Sequence, residues 1–182
     1  MDIGIDLGTT FSVVAVDGKV ELTPDYPGGP GVYLEDCDVT AIPSLLGEPT
    51  FPSVMIPDPD NPENWIFGAE ALQKAEEGLA PVMFSKRKIG TTEAIPVADG
   101  TVTAKEVASR FLGHMKECAE RALGQPVTRA VVTHPAYFDR GAVEETREAA
   151  RQAGFDMSLP QQMLMEPTAA ALAYTRTDKR DP

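Results

Sequence analysis

Residues 3–12 read Ile-Gly-Ile-Asp-Leu-Gly-Thr-Thr-Phe-Ser, and this stretch decides the fold. Ile3 to Leu7 is a short apolar run of strand type, and Phe11 to Val16 is strand-like again. Gly8-Thr9-Thr10 joins them. Gly8 permits close approach of the backbone. The successive N–H groups from Gly8 to Thr10 can form an anion-binding concavity, to which the two threonine hydroxyls add donors. Asp6, at the end of the first strand, can hold a hydrated divalent metal. The chain has neither a G-x-x-x-x-G-K nor a G-x-G-x-x-G pattern. Taken alone, an ordinary turn with β-forming threonines explains the segment as well as phosphate binding does.

Downstream, Asp17-Gly18 predicts a tight hairpin, because glycine accepts the positive φ of a primed turn. Val20 and Leu22 then continue on the return strand, giving a three-strand meander. Residues 24–64 hold nine of the sixteen prolines, with Gly28, Gly29, Gly31 and Gly47. Proline removes ladder donors, so this stretch is expected to be loop and short edge strand. Val54–Ile56 and Trp65–Phe67 are the apolar pieces expected to pair, and Ala69–Glu77 is expected to be helical up to Gly78.

Thr103-Ala104-Lys105-Glu106 is a capping box, followed at helical spacing by Val107, Phe111, Met115, Cys118 and Ala122. Gly124 and Pro126 end that helix. Val127–Thr133 reads as a buried strand, and Arg140–Ala153 as an amphipathic helix closed by Gly154. Leu164-Met165 leads into Glu166-Pro167 and a helix over Thr168–Tyr174, with Pro167 in its first turn. Strands first, then helices alternating with strands, predict an α/β sheet with helices against it.

Composition limits function. The formal net charge is −12 over 182 residues, which repels phosphate backbones and anionic lipid. Nucleic acid and membrane surfaces are therefore not expected partners. A phosphate ligand must instead be held by backbone N–H groups and a few placed cations. No apolar run reaches membrane-spanning length, no leader pattern precedes Met1-Asp2, and Cys37 and Cys118 read as reduced structural thiols. Together these favour the cytoplasm.

Three further features admit chemistry. Lys86-Arg87-Lys88 is a short basic run, which by default is a solvated face, yet a chain this acidic needs a cation to meet a γ-phosphate. Glu166 stands just before a helix, where capping is the common role. His114 and His134 are far from metal-ligand spacing. Ser12, Ser53 and Ser109 lie in no G-x-S-x-G context, which argues against a serine hydrolase.

IGIDLGTTFS (3–12) resembles the first phosphate loop of the heat shock protein 70 chaperones. FPSVMIPD (51–58) and WIFGAEA (65–71) look like the opening of the small subdomain in that family's first lobe, and FSKRKIG (84–90) like its lysine segment. VTRAVVTHPAYFD (127–139) and MEPTAAALAYT (165–175) are similar to two further signatures of its ATPase domain. Order and approximate spacing match over nearly the whole chain.

The resemblance implies an actin-like, ribonuclease-H-like ATPase lobe: a mixed sheet flanked by helices, with a small α+β subdomain inserted. The core subdomain would span about 1–53 plus 103–182, and the small one about 54–102. It implies ATP or ADP with Mg²⁺ as ligands, Thr9 and Thr10 on the β- and γ-phosphates, and Gly8 in the same loop. Asp6 would hold the metal through water. Lys86 would touch the γ-phosphate and position the attacking water, with Arg87 nearby and Glu166 close to metal and water. Pro135 would belong to a switch toward a substrate domain.

The implied activity is ATP hydrolysis coupled to binding and release of unfolded polypeptide, with a J-domain co-chaperone and a nucleotide exchange factor as partners. A sugar or acetate kinase of the same superfamily, or a non-catalytic actin-like filament or scaffold protein, is the alternative. Several features depart from the family pattern. The second phosphate loop, the adenosine-binding lobe and the substrate domain would follow Pro182. Residues 24–50 form a longer loop, and about three extra residues fall between Gly154 and Glu166. Val143 stands where the family's switch arginine is expected. Arg140 and Arg147, three before and four after it, lie on nearly the same helical face and could substitute.

Overall fold

The computed structural model describes residues 1–61, 63–83, 86–98 and 100–178. Among the described residues, twelve strands and four α-helices occur in this order: β1 (Asp2–Asp6), β2 (Phe11–Asp17), β3 (Val32–Leu34), β4 (Val39–Ile42), β5 (Phe51–Pro52), β6 (Val54–Pro57), β7 (Trp65–Phe67), α1 (Gly68–Glu76), β8 (Val82–Met83), β9 (Ala94–Val97), β10 (Gly100–Thr103), α2 (Ala104–Leu123), β11 (Arg129–His134), α3 (Arg140–Gln152), β12 (Met163–Met165) and α4 (Glu166–Asp178).

Strands β12, β11, β1, β2, β4 and β3 lie side by side in that order, with β5 also on β2. The pairs β1–β11 and β11–β12 are parallel and the others antiparallel. The fold is thus a mixed α/β sheet with helices against it, as the order of sequence elements requires. Strict alternation in β1 and β2 turns Ile3, Ile5, Val14 and Val16 to one face. Val107, Phe111, Leu112, Met115 and Ala119 of α2 pack into the same core. Their spacing of three and four makes one continuous apolar stripe. Thr103 and Glu106 close the expected capping box, worth about 1 kcal/mol. Gly124 ends the helix at φ +64°.

The return strand is not where the sequence placed it. Gly18 has the expected positive φ of +76°, but its N–H donates to Asp38 O. The partner of β2 is β4, with Asp17 paired to Val39. Val20 and Leu22 instead pack as loop residues against the core. Segment 19–31 does other work. Thr23 donates from N–H and hydroxyl to Ala122 O and Arg121 O, satisfying carbonyls at the open end of α2. Tyr26 is buried with its hydroxyl on Pro43 O at 2.6 Å.

The proline-rich stretch also holds more sheet than expected. Strand β4 is internal, paired on both sides, because the prolines fall outside Val39–Ile42. The expected pairing of 54–56 with 65–67 is present as β6–β7, and β8 adds to the other edge of β6. Val54, Ile56 and Ala71 form a second apolar cluster there, separate from the main core.

Candidate functional site

Parallel strands end on the same side of a sheet, and their carboxyl ends are where α/β folds gather ligand groups. The register of β1 on β11 pairs Ile5 with Val132. It follows that Asp6 and Thr133 are neighbours, and Thr133 Oγ1 donates to Asp6 Oδ1 at 2.5 Å. The next parallel strand, β12, runs straight into α4, whose first residue is Glu166. A carboxylate in a first helical turn meets the positive end of the peptide dipoles.

Lys86 comes from the far side of the sequence. It opens a 3₁₀ turn over Lys86–Lys88, and it is only 3% exposed. A buried ammonium must be paired. Here Nζ donates to Leu7 O at 2.6 Å and to Glu166 Oε1. An ammonium has three donors, and two are thereby taken by partners among the described residues. The turn itself is pinned on α3. Ile89 is buried in the core, and Gly90 N–H donates to Glu145 Oε2 at 2.7 Å. Gly90 has φ +83° and lies so close to Ala142 that a Cβ would sit 3.0 Å from that methyl.

Gly8 is required at its position, because a Cβ there would lie 1.9 Å from Phe11 O. Its N–H donates to Ser12 Oγ at 3.1 Å. The expected row of amides is therefore shortened. The amides and hydroxyls of Thr9 and Thr10 carry no hydrogen bond among the described residues, and both side chains are exposed. Arg87 is exposed on the Lys86 turn. The structure thus brings Asp6, Gly8, Lys86 and Glu166 to one end of the sheet, with Thr9 and Thr10 on the same turn as Gly8.

The expected switch residues are placed on or next to β11 and α3. Pro135 is buried just after β11, and its carbonyl accepts from Phe138 N–H at 3.2 Å. Arg140 is exposed at the start of α3. Arg147 is committed internally. Its guanidinium donates to Met157 O, Leu159 O and Pro160 O at 3.0–3.2 Å, fastening the longer segment before β12. A shared helical face could not separate the two arginines, because it leaves out what packs against each. Thr133, Ser12, Ser53 and the Leu7 carbonyl were not foreseen as parts of the site. The first needs the parallel register and the last is backbone, so neither leaves a sequence signal. A cavity of about 570 Å³ lies away from this cluster, among Phe51, Trp65, Phe67, Arg110 and His114.

Among the described residues, no three metal-type side chains converge on one point. Magnesium needs no such cage, since it takes one or two carboxylates and keeps waters and phosphate oxygens for the rest. The exposed Asp6 carboxylate at the strand end fits that donor set.

A mixed sheet flanked by helices, with a charged cluster at the carboxyl ends of parallel strands, is consistent with the actin-like ATPase class of fold. Residues 67–181 match the family model described as Hsp70 protein, so the chain belongs to the Hsp70 family. It is 35% identical over 179 residues to a protein named "Chaperone protein DnaK" from Mycoplasma mobile, covering 97% of this chain and 26% of that protein. Proteins of the same name from Mycoplasma mycoides subsp. mycoides and Metamycoplasma hominis are each 36% identical, over 98% and 94% of this chain and 26% and 25% of theirs. The chain thus spans about a quarter of the length of the curated relatives it matches.

Proposed function

We propose that this chain is the phosphate-holding lobe of an ATP-hydrolysing chaperone, which in its full-length form couples hydrolysis to binding and release of unfolded polypeptide. The observation that carries the reading is Lys86. Its buried ammonium is held between a strand-end carbonyl and Glu166, beside Asp6 and the 8–10 turn, so a fixed cation stands next to the turn that would take the phosphates. Its remaining donor suits a γ-phosphate oxygen. Thr9 and Thr10 contribute amides and hydroxyls to the β- and γ-phosphates, and Gly8 gives the turn its tightness. Asp6 would hold Mg²⁺ through water, a metal that would supply charge neutralisation at the phosphates. Glu166 orients Lys86 and the attacking water, with Arg87 close by. Phosphoryl transfer asks the protein for positioning and charge neutralisation more than covalent chemistry, and these residue types supply both.

The division into a core subdomain (about 1–53 and 103–182) and a small one (about 54–102) is supported by the second apolar cluster and by the β7–β6–β8 sheet. Unfolded polypeptide, a J-domain co-chaperone and a nucleotide exchange factor are the partners this reading entails, in the cytoplasm. Among the described residues, no helix is long and apolar enough to cross a membrane. The test is ATP turnover by the full-length protein. Metal-dependent hydrolysis is expected, accelerated by unfolded peptide and lost with a chelator. Transfer of the γ-phosphate to a sugar or acetate, without hydrolysis, overturns the reading in favour of a kinase.

A further inference from the structure

We propose that Ser12 and Ser53 are positioning residues that fix the conformation of the 8–10 turn and thereby its grip on phosphate, an inference that rests on the function proposed above. Both are essentially inaccessible, at 0% and 1% exposure. Gly8 N–H donates to Ser12 Oγ at 3.1 Å, Ser53 Oγ donates to Gly8 O at 2.8 Å, and the two hydroxyls are 3.0 Å apart. A hydroxyl has one proton to give. Since that of Ser53 goes to Gly8 O, Ser12 must be the donor between the two serines. The bonds then form a closed circuit: Gly8 N–H to Ser12, Ser12 to Ser53, and Ser53 back to the carbonyl of Gly8. Every member donates once and accepts once, so each bond polarises the next.

The circuit fixes both backbone polar groups of the one residue whose Cβ the turn has no room for. Ser53 adds a fourth link, from its N–H to Thr10 O at 2.8 Å. It stands between β5, which pairs with β2, and β6, which belongs to the three-stranded sheet β7–β6–β8. The shape of the turn is therefore set from the point where the chain leaves the main sheet. Thr9 and Thr10, whose amides and hydroxyls are left for a ligand, are held between pinned neighbours.

The test uses Ser12→Ala, Ser53→Ala and the double variant of the full-length protein. Three quantities are measured: ATP and AMP affinity, hydrogen exchange of the Gly8 amide, and Tm. The expected result is ATP binding weaker by about tenfold with AMP binding unchanged, since AMP lacks the β- and γ-phosphates. Exchange at Gly8 is expected to quicken by at least about tenfold. Either single variant should give most of the double variant's loss, because the circuit breaks as a unit. A lowered Tm with unchanged ATP-to-AMP ratio and unchanged Gly8 exchange overturns the proposal and leaves the serines as ordinary core residues. Should Ser53→Ala fail to fold, Ser12→Cys, which keeps the shape and a weak donor, must show intermediate values of both readouts. Faster Gly8 exchange in variants of a protein that has no ATP affinity would support the circuit and overturn the phosphate reading.

Discussion

Lys86 and Glu166 lie 80 residues apart in sequence, and the buried ammonium of the first donates to the carboxylate of the second. The pair is unequal, with side-chain exposures of 4% for Lys86 and 41% for Glu166. The lysine is enclosed by protein while the carboxylate still faces solvent. The bond thus fixes the ammonium just beneath the surface, with the carboxylate as the solvent-facing member of the pair. One face of the ion pair belongs to the core and the other to whatever binds there.

Replacing Lys86 with alanine in the full-length protein should depress kcat by roughly 10²–10³-fold, the loss typical of removing one preorganised charge-stabilising donor. Nucleotide affinity should change far less, because it is spread over many contacts. Single-turnover kinetics and equilibrium binding separate the two. Intact kcat with only weakened binding would reduce Lys86 to a general electrostatic anchor.

The 182 residues alone should turn over ATP far more slowly than the full-length protein, despite a complete Asp6–Lys86–Glu166 cluster. An open site leaves the phosphates in water, where the same charges act through a high dielectric. Metal-dependent turnover by the isolated chain at the full-length rate would show that this lobe suffices.

Burial lowers the pKa of His114 to about 4, with its ring stacked on Phe67 at 4.4 Å. An unfolded histidine titrates near 6.5, so between pH 6.5 and 4 the unfolded chain binds the extra proton and the folded one does not. The contribution of His114 to stability is thus complete above pH 6.5 and declines toward pH 4, by up to about 1.4 kcal/mol per pH unit. Denaturant melts of wild type and His114→Gln across this range should differ in slope. Parallel curves would show that the ring is protonated in place.

Arg147→Ala should destabilise the fold by about 1–3 kcal/mol, since three carbonyls before β12 lose a charged donor. Arg140→Ala should change stability by less than about 0.5 kcal/mol. If Arg140 serves where Val143 replaces the expected switch arginine, its alanine variant slows ATP-stimulated release of bound peptide. Normal release in that variant rules substitution out. Release that appears only on Val143→Arg would show that this protein couples weakly.

What could be read from the sequence were features carried by neighbours along the chain. The capping box at Thr103 and Glu106, the apolar stripe of α2, the β1–turn–β2 unit and the helix after Asp139 all follow from spacings of two, three and four residues. The same local reading failed at Gly18. A positive φ is needed there, but that requirement does not say which strand returns, and β4 lies beyond a loop that first packs on α2.

Tertiary structure alone decided the rest. A shared helical face cannot tell an arginine spent on Met157, Leu159 and Pro160 from one left exposed. Parallel pairing, which places Thr133 on Asp6, has no turn chemistry to announce it. Sequence by itself determined which residues could bear charge, cap a helix or tighten a turn, because those are properties of a residue and its near neighbours. Only the folded chain decided which of them meet. Burial and pairing are properties of what lies across the sheet, and that is why Lys86, a solvated charge by default, became the buried cation of the site.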